Sequence, residues 1–213
     1  MRQFPCIALA FASLASLQAQ SPNFGFAFNV LVPSGQFRES VYPPSLDVSV
    51  RQLEGYDIGV GGQFTMSFPV QRNLAFRIGI DGTSTSGTNT ASGYDTIHLR
   101  HTMFSLSGEW QFFFTDAYRH RGTFFAAGVS ADFERFARSF EDGWYKWDQN
   151  YSEIDVSRKN RLGGIISFGH TFYGSLFNFT TELSYHATLT NKDFERGDPP
   201  AVDFLRINFG FVF

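Results

Sequence analysis

Leu205-Arg206-Ile207-Asn208-Phe209-Gly210-Phe211-Val212-Phe213 is the stretch on which the reading of this chain turns. Every second residue is large and apolar: Leu205, Ile207, Phe209, Phe211 and Phe213. Arg206, Asn208 and Gly210 alternate with them. At the helical period these five side chains would scatter around the axis. At a period of two they share one face, with the polar and small residues on the other. The segment is therefore predicted to be a strand with one apolar face.

The same period recurs upstream seven times. Segment one sets Phe24, Phe26, Phe28, Val30 and Val32 against Gly25, Ala27 and Asn29; segment two sets Tyr56, Ile58, Val60, Phe64, Met66 and Phe68 against Gly59, Gly61, Gln63 and Ser67. Segment three carries Leu74, Phe76, Ile78 and Ile80, and segment four Phe104, Leu106, Trp110, Phe112 and Phe114. Segment five carries Phe125, Ala127, Val129, Ala131 and Phe133, segment six Leu162, Gly164, Ile166 and Phe168, and segment seven Phe177, Phe179, Leu183, Tyr185 and Leu189. Ile97 and Leu99 are out of phase with the rest of segment four, so a bulge is expected near Arg100–Met103. The connections alternate. Pro69–Asn73, Thr115–Gly122 and His170–Ser175 are short. Pro33–Gln52, Gly82–Thr96, Arg135–Ser152 and Thr190–Val202 are long.

Residues 1–19 read differently. Arg2 precedes an apolar run from Cys6 to Leu17, then Leu17-Gln18-Ala19 offers a small residue before a cut. This is the order of a secretory signal peptide, too short to span as a helix. The expected organisation is residues 1–19 signal and residues 20–213 one domain. Cys6 is the single cysteine and would leave with the signal, so no disulfide or cysteine-ligated metal is expected. Cleavage removes Arg2 and no acidic residue, so the formal charge of −3 becomes −4. With no basic excess, nucleic acid is not an expected partner.

Eight strands with alternating turn lengths suit a sheet closed on itself, which leaves no edge. Two closed barrels fit a secreted chain of 213 residues. A soluble lipocalin-like barrel turns its apolar face inward around a ligand; an outer-membrane barrel turns it outward to lipid. Eight strands enclose only enough space for side chains or one small ligand. The apolar face here is crowded with Phe, of which the chain has 27. It would overfill that space, whereas Gly, Ser, Thr, Ala and charged residues fit it. The apolar face is therefore expected outside. Phe24, Phe68, Trp110, Phe114, Tyr185 and Phe213 would mark the interfacial girdles.

On these segments and the Phe209-Gly210-Phe211-Val212-Phe213 ending, the chain resembles the small eight-stranded bacterial outer-membrane β-barrel family, similar to the membrane domain of OmpA and to OmpX. The resemblance implies an all-β, antiparallel up-and-down transmembrane barrel with short periplasmic turns and longer extracellular loops. It also implies that Phe209, Phe211 and Phe213 form the signal read by the outer-membrane assembly machinery. Lipid would be the partner of the outward face.

The polar face carries Arg77, Asp81, Glu109, Asp132, Arg161, Glu182 and Arg206. Neighbouring segments place opposite charges at similar depth, which predicts three lumenal ion pairs: Arg77 with Glu109, Asp132 with Arg161, and Glu182 with Arg206. Arg suits buried pairing with carboxylate, and paired charges would close the lumen. The functional expectation is a non-enzymatic barrel with a structural or surface-interaction role. A narrow channel for ions or small solutes is the alternative. A lipid-modifying enzyme is a third reading, for which His101, Ser105 and Glu109 form the best local cluster. The lipid A deacylase family uses a His-x-Ser pair, and no His here is followed two residues later by Ser. The third long loop gathers Trp144, Tyr145, Trp147 and Tyr151 beside acidic residues, a composition that could bind an extracellular ligand or simply rest on the membrane interface. Asp142, Asp148, Glu153 and Asp155 match no EF-hand spacing. Gly82–Asn89 reads as a flexible polar loop. No cofactor or metal is expected.

Overall fold

A computed structural model describes residues 22–34, 57–91, 95–142, 152–174, 176–190 and 203–213. They form eight strands: β1 (Asn23–Ser34), β2 (Gly59–Gln71), β3 (Leu74–Ala91), β4 (Asp95–Phe113), β5 (Gly122–Asp142), β6 (Ser152–Phe172), β7 (Asn178–Thr188) and β8 (Asp203–Val212). Each strand pairs antiparallel with the next, and β8 pairs with β1 from Gly25↔Val212 to Ser34↔Asp203, closing the barrel. Over the height shared by all eight strands, closure satisfies each backbone from its two neighbours. The segment predicted as a signal, residues 1–19, lies outside the described residues, as do Trp144, Tyr145, Trp147 and Tyr151.

The alternation sorts side chains in the predicted sense. Phe28 (62% exposed), Val129 (60%), Ile166 (56%) and Phe209 (46%) face outward, while Arg77, Glu109, Asp132 and Arg206 are buried inside. Of the girdle positions, Phe24, Trp110, Phe114, Tyr185 and Phe213 are exposed, while Phe68 is half-buried. This is the reverse of a soluble barrel and the arrangement that a barrel takes in lipid. The belt has a defined height. Along β4 and the residue after it the belt runs from Phe104 to Phe114, and on β6 from Leu162 to Phe172. Both match the roughly 9–11 residues that cross a hydrocarbon core. Past it the outward positions turn polar, at Arg135 on β5 and at Asn160 and Arg158 on β6.

Two expectations about the long-loop end are corrected. Pairing between β3 and β4 is continuous from Leu74↔Phe112 to Ala91↔Asp95, so no bulge interrupts Arg100–Met103. Met103 instead points inward in phase with His101 and Ser105. The apparent phase slip is the belt ending: above it, apolar residues are free to enter the lumen. Gly82–Asn89 is likewise not a loop but part of β3, pairing with Phe104–Ile97 of β4. Outside hydrocarbon an outward face has no need to be apolar, so a Thr- and Ser-rich strand lacks the pattern that would reveal it. The register does shift between Arg138 and Ser139 on β5, in the projecting part of the β5–β6 pair.

At the other end the turns are tight. In the β4–β5 turn His120 (φ 46°) and Gly122 (φ 86°) adopt left-handed conformations. At Gly122 a Cβ would also collide with Thr115, so glycine is required there.

Candidate functional site

The lumen is filled in layers. At the short-turn end Phe113 and Phe124 meet with ring centroids 5.3 Å apart, packed with Ala75, Ala117 and Ala126. His120 folds in from the β4–β5 turn, its ring edge-on to Phe113 at 4.9 Å. Burial, with the nearby Arg77 charge, pushes the His120 imidazole down to about 4.

Above this floor lies Arg77. Its Nη1 and Nη2 donate to Glu182 Oε2 and Oε1, each at 2.7 Å, and Nη2 also donates to Glu109 Oε2 at 2.6 Å. Ser107 donates to the other Glu109 oxygen at 3.2 Å. A cavity of about 30 Å³ beside this triad is lined by Gln63, Thr65, Arg77, His120, Glu182 and Asn208. It has room for a water molecule or two.

At mid-height, Arg206 Nη1 donates across the lumen to Asp81 Oδ2. Nearby, His186 Nε2 lies 3.1 Å from Asp132 Oδ2 and 2.9 Å from Ser130 Oγ. Gly163 makes this cluster fit, since a Cβ there would overlap His186, Ser130 and Asp132. The top layer joins Arg161 Nη1 to Glu134 Oε2 at 2.6 Å. His101 stacks on Phe136 (4.4 Å) and Phe204 (5.6 Å), with its Nε2 3.5 Å from Glu134 Oε1. Leu31 and Met103 complete an apolar cluster with those two rings.

Of the three predicted pairs, the structure brings Arg77 and Glu109 together and rearranges the other two. Arg161 turns to Glu134, although Asp132 is its direct partner in the ladder. The long guanidinium leans diagonally one pleat along β5, and His186 on β7 takes Asp132 over Gly163 of the intervening β6. Glu182 stands opposite Asn208, and Arg206 opposite Ser184. The two are thus at different depths, and each finds its partner on the far wall. Depth counted from turns misses both the stagger of a tilted barrel and contacts across its axis. Sequence reasoning also left out Glu134, His120 and His186, and placed His101 only in a candidate catalytic cluster. Parity carried the signal for Glu134, two residues beyond Asp132. The inward rings Phe113, Phe124, Phe136 and Phe204 correct the expectation of a lumen of small and polar residues. They close its two ends, and the charges occupy the middle.

The cluster His101, Ser105 and Glu109 does share the inward face, spaced along one strand. Ser130, His186 and Asp132 make a tighter group. In an acyl-transfer relay, acid and nucleophile hold opposite ring nitrogens. Here both meet Nε2, and Nδ1 has no hydrogen-bond partner among the described residues. The described residues hold no group of three or more His, Cys, Asp or Glu placed to bind a metal. Loop-three residues and the acidic set Asp148, Glu153 and Asp155 have no described side chains.

No protein-family model matches the chain, and no curated protein matches it. Among solved structures it is similar to Ail, the attachment invasion locus protein of Yersinia pestis. A structure of Ail with the heparin analogue sucrose octasulfate aligns at 12% identity and TM-score 0.44, covering 91% of this chain and 97% of Ail. A second Ail structure aligns at 11% identity with the same TM-score and coverage. The N-terminal β-barrel domain of Pseudomonas aeruginosa OprF aligns at 13% identity and TM-score 0.40, covering 92% of this chain and all of that domain.

Proposed function

We propose that this chain is a bacterial outer-membrane β-barrel, non-enzymatic, whose filled lumen makes it a structural or surface-interaction protein. One observation carries the reading: the exposed wall is a belt of Phe, Leu, Ile and Val of membrane height, while the charged residues are buried and paired around the axis. In water that belt would be exposed hydrocarbon far beyond what a soluble monomer carries. In lipid it is the solvated face. On this reading residues 1–19 are a signal peptide removed on secretion, and Phe209, Phe211 and Phe213 are the residues met by the assembly machinery. The third long loop, with Trp144, Tyr145, Trp147 and Tyr151, would meet an extracellular partner. Its aromatic composition is the support for that assignment.

The layered lumen weighs against a channel. The shared Nε2 weighs against His186 as a relay base. Gel mobility of the detergent-folded protein before and after boiling tests the membrane barrel: a folded barrel migrates differently from its boiled form. Unchanged mobility, or a monodisperse protein in buffer free of amphiphiles, would overturn the reading. Stable single-channel steps in a planar bilayer would overturn the closed lumen alone.

A further inference from the structure

The topology separates charge along the barrel axis. The short-turn end carries Arg72, Arg119 and Arg121, and Asp116 is the only acidic side chain described there outside the lumen. The long connections and strand ends at the opposite side hold 14 acidic against ten basic residues, a net negative charge. The three arginines sit on one plate. The β4–β5 turn crosses the barrel mouth, held on one side by Ala117 N–H donating to Arg72 O (2.7 Å) and on the other by Asn178 Nδ2 donating to Arg119 O (3.3 Å). The Arg119 side chain is 69% exposed and only loosely held by Asp116 at 3.9 Å. The Arg121 guanidinium lies 3.9 Å over the Tyr173 ring, with its Nε buried. Tyr173 is itself 67% exposed and adjoins the lipid-facing belt at Phe172.

We infer that this plate is a headgroup-binding collar for anionic phospholipid in the leaflet at the short-turn side. The inference rests on the membrane reading above. Arginine matches the phosphate geometry with paired donors, and a guanidinium already stacked on an aromatic face is oriented with its edge free. Tyr173 and Phe172 set the depth, since their rings belong at the boundary between headgroups and acyl chains. The acyl chains of a lipid so held would lie along the exposed apolar side chains of β4–β6. Charge complementarity and continuity with the belt therefore specify the same occupant.

The test uses Trp110, an outward residue on β4 near this end (50% exposed). In a Trp144→Phe/Trp147→Phe background, the protein is folded into bilayers containing brominated phosphatidylglycerol or brominated phosphatidylcholine, and quenching of Trp110 is compared. The expected result is a preference for the anionic lipid of about fivefold at low salt, the effect of one basic residue at a charged surface. It should fall to near unity in Arg72→Gln/Arg119→Gln/Arg121→Gln, and in the unsubstituted collar at about 0.5 M salt, where screening is short-ranged. Should the triple variant not fold, the salt series on the unsubstituted collar decides alone. Boiling-dependent gel mobility is scored on the same samples. A folded barrel quenched equally by both lipids overturns the collar only, whereas absence of the mobility shift overturns the membrane reading and the collar with it.

Discussion

Arg206 on β8 and Asp81 on β3 are joined across the lumen, although their strands are not neighbours in the barrel. The pair ties opposite walls, so its loss affects closure rather than one local ladder. Removing one member of a buried pair strands the other charge and typically costs about 3–5 kcal/mol. Arg206→Met alone should therefore lower unfolding free energy by about that amount in a urea titration of the lipid-folded barrel. The double variant Asp81→Asn/Arg206→Met should recover most of it. A cycle in which the two substitutions simply add would show that the strut carries no coupling.

Glu182 holds Arg77 with two hydrogen bonds, where Glu109 uses one. Glu182→Ala should destabilise the barrel by about 3 kcal/mol, and Glu109→Ala by less, because Arg77 then keeps its two-bond partner. A substitution in the long connections should stay within about 0.5 kcal/mol. Equal melting temperatures for Glu182→Ala and such a loop variant would contradict the ion-pair core.

His120 gives the floor a pH dependence of definite sign. Its folded value of about 4 lies below the ordinary 6.5, so the folded protein holds the imidazole neutral while the unfolded chain takes up a proton. Stability is complete above about pH 6.5, declines as pH falls toward 4, and is then flat for this group. The total loss is about 3 kcal/mol. Urea midpoints between pH 7.5 and 4 should show this slope, and His120→Phe should flatten it. A slope unchanged in that variant would place the titration elsewhere.

The belt predicts a depth profile. Val129, 60% exposed at mid-belt on β5, faces the centre of the bilayer, and Phe114 lies at its edge. Val129→Arg should cost about 2–4 kcal/mol of stability in lipid and Phe114→Arg about 0–1. Comparable costs at the two depths would argue against hydrocarbon around the wall.

On the proposed reading, the ending would contribute to assembly separately from stability. Phe213 is exposed and lies outside the last strand. Phe213→Ser should reduce the amount of barrel assembled in cells several-fold, while the refolded protein loses no more than about 1 kcal/mol. Normal cellular assembly of this variant would remove Phe213 from the recognition signal.

Much of this architecture was legible because the belt forces a strict period. Wherever a strand crosses it, as at Phe104–Phe114 or Phe209–Phe213, each outward side chain must be apolar and each inward one must fit a narrow core. Above the belt the outward face meets water instead of hydrocarbon, its need to be apolar lapses, and β3 beyond Gly82 reads as a loop. The lumenal partners were harder to see for a geometric reason. Parity puts Glu182 and Arg206 inside, but nothing along one strand reveals that Arg77 and Asp81 stand across the axis from them. Phe113 and Phe124 sit beside outward Phe112 and Phe125, and two adjacent rings hide which one points in. Their placement depends on Ala75, Ala117 and Ala126 being small, which is a property of three separate segments.

β3 through β6 carry 18 to 21 residues each, whereas β7, β8, β1 and β2 carry 10 to 13. Among the described residues the rim is consequently lopsided: four strands rise as a hydrogen-bonded parapet above the other four. The connection between β5 and β6 leaves from the crest of that parapet. Asp142 and Ser152, the ends of β5 and β6, thus stand away from the belt on one side of the barrel.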